Sequence, residues 1–153
     1  MISFHLDSIP KAAKTFLTVA QVREIVTEQL TAAEDAAVNA CVAGEALDGH
    51  RVVAMNSQGR VVHADHGTAS HAGQVYGMTL TSALTGGPVP VRSFGVLEDS
   101  NWRWDLSSGL SLFLSTNGIL TQTAPASGFV CRVGYLVSPT RIFIDIQPSI
   151  DLI

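Results

Sequence analysis

Charge is scarce in this chain: 14% of its 153 residues are charged against 46% hydrophobic, with a formal net charge of −4. That balance excludes a disordered, strongly solvated polypeptide, which needs low hydrophobicity and high net charge. It also leaves apolar surface for partners to cover. Lysine is nearly missing, with Lys11 and Lys14 close together near the start and only single, scattered arginines beyond them. No basic patch suited to phosphates results, so nucleic acid is not an expected partner. No apolar run approaches the roughly 20 residues a bilayer-spanning helix needs, so no membrane partner is expected. The opening "MISFHLDSIPKAAK" carries an acid and a proline where a signal peptide requires an unbroken apolar stretch. Synthesis and folding in the cytoplasm are therefore expected.

Cysteine is also rare. Cys41 and Cys131 lie far apart, each in an apolar strand-like segment and without a second cysteine at metal-ligand spacing. Buried free thiols are expected, because free cysteine behaves as a small hydrophobe and a reducing compartment disfavours disulfides.

The familiar chemical signatures are missing as well. The sequence contains no GxSxG elbow and no glycine loop with a lysine opening a helix. Glu98 and Asp99, with Asp105 beyond, are acids on a polar loop, where such groups are usually solvated. The one dense group of candidate ligands is "VVHADHGTASHAG", which sets His63, His66 and His71 around Asp65. A zinc site needs three or four donors on a rigid scaffold with outer-shell support, whereas "HGTAS" reads as a turn. Asp65 is expected to accept backbone bonds there and Gly67 to relax φ, giving a polar loop between strands. A zinc hydrolase would instead hold stoichiometric metal that His63→Ala reduces. No catalytic residue, metal ligand or cofactor is assigned, and an enzyme is not expected.

What is present divides into two regions. In "TVAQVREIVTEQL" Val19, Val22, Ile25, Val26 and Leu30 recur at helical spacing with Arg23, Glu24 and Glu28 opposite, so residues 1–36 read as an arm with an amphipathic helix. Thr31 and Glu34 could form a capping box for a further short turn. From Ala37 the period becomes two and turn signals arrive every ten or so residues, which predicts a mainly β domain over 37–153, a compact barrel or sandwich. "NSQG" between two valine-rich runs predicts one hairpin, and Asn117–Gly118 between "SLFLS" and "ILTQT" a second. "QVYGMTLTSAL" reads as a strand leading to a "TGG" turn. Pro88 and Pro90 remove donors from one edge of their strand, which predicts a place at a sheet margin. In "RIFIDIQ" Ile142, Ile144 and Ile146 share a core face, while Arg141, Phe143, Asp145 and Gln147 share a mixed one. Pro148 ends that ladder, and "SIDLI" is expected as a free apolar terminus that a neighbouring subunit covers.

"EDSNWRWDL" is the strongest ligand-surface candidate. Trp102 and Trp104 are two apart, so in extended chain their rings face one way and Arg103 the other. Core packing, a protein contact and stacking on carbohydrate all remain open for them.

Three stretches, "AGEALDGHRVVAMNSQGRVVHAD", "HAGQVYGMTLTSALTGGPVPVRSFGVL" and "LSLFLSTNGILTQTAPASGFVCRVGYLVSPTRIFIDIQPSIDL", resemble in their order the capsid cement (head decoration) proteins of tailed bacteriophages, over about Cys41 to Leu152. The resemblance implies a structural, non-enzymatic virion protein on the outer capsid surface. It would bind the major capsid protein and itself, as a dimer or trimer. Candidate interface residues are Phe4 and Phe16 in the arm, Trp102 and Trp104, and Ile150 and Leu152 in the tail. Similar strand-and-turn sequences occur in phage tail-fibre and baseplate modules, which leaves a receptor- or carbohydrate-binding tail module as the alternative.

Overall fold

The turn chemistry builds the first two hairpins. The Asn56 carboxamide oxygen accepts the backbone N–H groups of Gln58 and Arg60, both at 3.0 Å, and Gly59 takes a φ of 74°. This turn joins β2 (Val52–Met55) to β3 (Val61–His63) in the register Val53 to His63. Asn117 and Gly118 adopt φ values of 53° and 72°, the paired positive angles of a type I′ turn. They join β7 (Ser111–Leu114) to β8 (Leu120–Thr121). The computed structural model describes residues 37–152. The expected helical arm, with Phe4 and Phe16, lies outside those residues.

The fold is mainly β and antiparallel. The first sheet adds β1 (Val38–Val42), β4 (Val75–Thr79) and β5 (Pro88–Arg92) in the order β1-β5-β4-β2-β3. The second adds β6 (Phe94–Glu98), β10 (Arg132–Ser138) and β11 (Arg141–Asp145) in the order β6-β11-β10-β7-β8. A small third sheet pairs β9 (Phe129–Val130) with β12 (Ile150–Asp151).

Period-two alternation sends neighbouring residues of the first sheet to different cores. Val52, Ala54 and Met78 pack with Leu112, Leu114, Ile142 and Ile144 of the second sheet, all essentially inaccessible. Val53, Val61, Val89 and Val91 face the other way and join Ala43 and Leu47 in a second cluster. The first sheet curls around that cluster until Ala43 at the end of β1 bridges Val61, with the Gly44 N–H donating to the Val61 carbonyl at 2.8 Å. One bridge is not a ladder, however, and none of the sheets closes into a barrel. The barrel expectation is corrected on this point: closure needs a continuous staggered ladder between the edge strands. Here β3 stops at His63, whose N–H turns to the Glu45 carboxylate at 2.8 Å.

The proline strand is also placed differently from its expectation. β5 lies inside the sheet, paired with β1 along its whole length and with β4 at Val91 and Arg92. Ala43 donates to the Gly87 carbonyl and Ser93 to the Ala37 carbonyl, so odd-numbered residues address β1 and the two prolines face the β4 side. β4 ends at Thr79, and Leu80 makes a last bond to the Pro90 carbonyl at 3.0 Å, which asks nothing of the proline nitrogen. The missing donors thus mark where a neighbouring strand ends rather than a sheet margin.

Candidate interaction surfaces

The Glu98–Ser108 stretch is pinned at one end of the second sheet. Asp99 donates its N–H to the Thr140 carbonyl and Trp104 to the Pro139 carbonyl, both at 2.9 Å. The Asp99 carboxylate accepts the Asn101 N–H at 2.9 Å. Asp105 accepts the Ser107 N–H and both serine hydroxyls of the short 3-10 turn at Leu106–Ser108. Those bonds, the Ser107 hydroxyl first, hold the Asp105 carboxyl below its usual range.

Between these anchors Trp102 and Trp104 point one way, their ring centroids 6.0 Å apart, while Arg103 is exposed and bonds back to the Ser100 and Trp102 carbonyls. Both indoles are half-buried against the main core. The Trp104 indole nitrogen is buried and has no acceptor among the described residues, so packing against the core holds that ring.

His50, in the left-handed region at φ 54°, lays its ring 5.5 Å from that of Trp102 and places Nδ1 2.7 Å from the Asp99 carboxylate. This bond, then the Asn101 N–H, lowers the Asp99 pKa, with burial opposing it. His50, Arg51, Trp102, Trp104, Ile119 and Leu120 line a concavity of about 270 Å³. It offers aromatic edges, an imidazole and a guanidinium beside an exposed Ile119. Packing against the core accounts for one side of the tryptophan pair, and this concavity is the part left for a partner.

The histidines of "VVHADHGTASHAG" are each tied to a different part of the frame. His63 sits with Nδ1 3.3 Å from Glu45 and Nε2 accepting the Asp48 N–H at 3.3 Å. His71 Nδ1 accepts the Asp65 N–H at 3.0 Å, and His66 Nδ1 lies 3.0 Å from the Ser127 carbonyl. Among the described residues no three His, Cys, Asp or Glu side chains gather in a way that could hold a metal ion. Asp65 does accept the Gly67 N–H, at 2.8 Å, as the turn reading requires. Gly67 does not need positive φ; its contribution is room, since a Cβ there would sit 3.2 Å from the Asp65 carboxylate.

No known family model and no curated protein matches the chain.

The tail is not the free terminus expected from "SIDLI". β12 pairs with β9, Ile150 opposite Val130, and Leu152 donates to the Gly128 carbonyl at 2.9 Å. Asp151 and Leu152 border a concavity against Phe129 and the His66–Ala72 loop. The chain beyond Pro148 finds backbone partners of its own, while Ile150 stays 65% exposed and Leu152 37%. Trp102 and Trp104 therefore come together, Ile150 and Leu152 form a second place, and the two concavities share no lining residue.

Of the two thiols, Cys131 is buried and Cys41 half-buried. Burial raises both pKa values, opposed at Cys131 by Ser149 and at Cys41 by Tyr76.

One surface is not singled out by the sequence. On the outer face of the second sheet the Phe143 ring meets Phe94 edge-on at 5.0 Å and stacks on Tyr135 at 5.2 Å. Phe94, Tyr135 and Val137 are 52%, 37% and 48% exposed. The available signal is the mixed outer face of the last long strand; its aromatic neighbours come from β6 and β10, distant in sequence.

Proposed function

We propose that this chain is a structural virion protein, a two-sheet sandwich that cements the outside of a tailed-phage head by binding the major capsid protein and copies of itself. The observation that carries the reading is the order of the three strand-and-turn stretches that resemble head decoration proteins. The folded chain supports it with apolar side chains held on firm strands and turns: Leu84 at a loop tip is 81% exposed, Phe94 52%, Leu110 55% and Ile150 65%. Contacts of this kind are weak singly, but repeated over a lattice they gain from avidity. The expected helical arm would add a further anchor.

The test is to add purified protein to expanded empty shells and sediment the mixture. Saturable binding at a fixed copy number per shell is expected; protein left wholly in the supernatant rules the reading out. The tryptophan pair beside His50 favours a second reading, a tail-fibre or baseplate module that stacks on carbohydrate. Under it the chain ignores shells and binds host-surface glycan, with loss on Trp102→Ala.

A further inference from the structure

The outer face of the second sheet carries a charge pattern that fits itself. On β11, Ile142 and Ile144 point into the core, so Arg141, Phe143 and Asp145 point out, a cation and an anion placed symmetrically about an aromatic ring. The cross-strand register puts Tyr135 of β10 and Val96 of β6 level with Phe143. The row through the centre is therefore carbon-rich across β6, β11 and β10, and reaches a polar residue only at Ser111 of β7, level with Tyr135. At one end Arg141 reaches Glu98 at 2.8 Å, both about half exposed. At the other, Asp145 pairs with no cation among the described residues.

We propose that this face is a homodimer interface in which β11 of one copy lies antiparallel over β11 of a second, about a two-fold axis through Phe143. Such an axis reverses the strand direction and keeps the order of strands across the sheet. Arg141 then meets Asp145 of the second copy, and Asp145 meets its Arg141. Phe143, Tyr135 and Val96 each meet their own counterparts between the two ion pairs. An isologous contact requires a patch complementary to itself, and a sequence reading cation, aromatic, anion along one strand satisfies that requirement. Stacked twisted sheets cross at about 30°, so contact is closest where the two β11 strands cross, and that strand carries the complementary charges. A second copy fits these observations because reversing β11 exchanges the sign of the charge at each end. The proposal deepens the self-association in the cement reading and rests on it only for biological setting.

The test uses the full chain without shells, so its outcome is independent of capsid binding. Sedimentation across a concentration series is expected to show a monomer–dimer equilibrium. Arg141→Asp and Asp145→Arg each place like charges together twice per dimer, and each is expected to raise the dissociation constant at least about 100-fold. Mixing the two variants restores opposite charges at both contacts, so a heterodimer should re-form with an affinity near that of the unaltered chain. Misfolding of either variant could not be repaired by mixing. A wild-type monomer, as when another segment or a capsid surface occupies the face, overturns the proposal. So does a trimer, single reversals that leave the dimer intact, or a mixture that stays monomeric.

Discussion

At the scale of single residues, two positions carry testable weight. Gly118 holds positive φ and also docks the β7–β8 turn onto the first sheet, its N–H donating to the Ala64 carbonyl and its carbonyl accepting the Val52 N–H at 2.8 Å. A Cβ there would sit 2.6 Å from the Val52 carbonyl. Gly118→Ala is therefore expected to destabilise the fold by about 3 kcal/mol, combining backbone strain with a backbone clash. Gly59→Ala shares the positive φ but meets nothing within 4 Å, so about 1 kcal/mol is expected. Equal losses in denaturant titration would show that the docking contact contributes nothing.

Asp99 is the second position. Its folded pKa is lowered by the His50 hydrogen bond and then by the Asn101 N–H, so the ionised form favours folding. That contribution is complete above the unfolded carboxyl value of about 3.9 and disappears as pH falls through the lower folded value. The stability difference between wild type and Asp99→Asn should be largest near neutral pH and shrink in acid below about pH 4. Denaturant melts across this range check it, and a difference that stays constant into acid contradicts the assignment.

At the scale of elements, β12 shows how a short strand can be structural. Ile150 and Asp151 pair with Val130 and Phe129, and Ser149 bonds the Cys131 thiol. Removing residues 149–153 strips this cover from a side chain that is 1% exposed and whose pKa burial raises. In a Cys41→Ser background, labelling of Cys131 by a thiol reagent should accelerate about tenfold or more on truncation. An unchanged rate would mean that the first sheet alone seals the thiol.

The same elements show what was legible in the sequence. Both hairpins were, because Asn56, Asn117 and Gly118 act within a few residues of themselves. The inward isoleucines of β11 were, because alternation is local. The placement of β5 was not: Pro88 and Pro90 reveal which edge lacks donors but not that β4 stops beside it. Of the site, the common facing of Trp102 and Trp104 was readable from spacing. The His50–Asp99 pair bridges 49 positions, and the Phe94–Phe143–Tyr135 row spans three strands, so both depend on topology. The pairing of the tail is not legible, because its partner β9 is only two residues long and gives no periodic signal.

At the scale of the whole molecule, the first sheet couples two cores. Val52 and Val53 are adjacent, yet one packs with Leu112 and Ile142 and the other with Val61 and Val91. Neither cluster can loosen without moving a strand the other needs, so residues 37–152 should unfold in one cooperative step. The side chains supply a probe on each side. Trp102 and Trp104, the two tryptophans of the chain, border the main core, so tryptophan emission, excited selectively over Tyr76 beside the second cluster, reports on the main core alone. Cys41 borders the second cluster, and in a Cys131→Ala background its labelling reports there. Val53→Ala opens space only in the second cluster and should remove about 2 kcal/mol of stability. If the sheet transmits that loss, the fluorescence midpoint shifts by the same free energy as the labelling midpoint. If the clusters are independent, Cys41 becomes reactive while tryptophan fluorescence keeps its original midpoint, and the coupling through β2 is disproved.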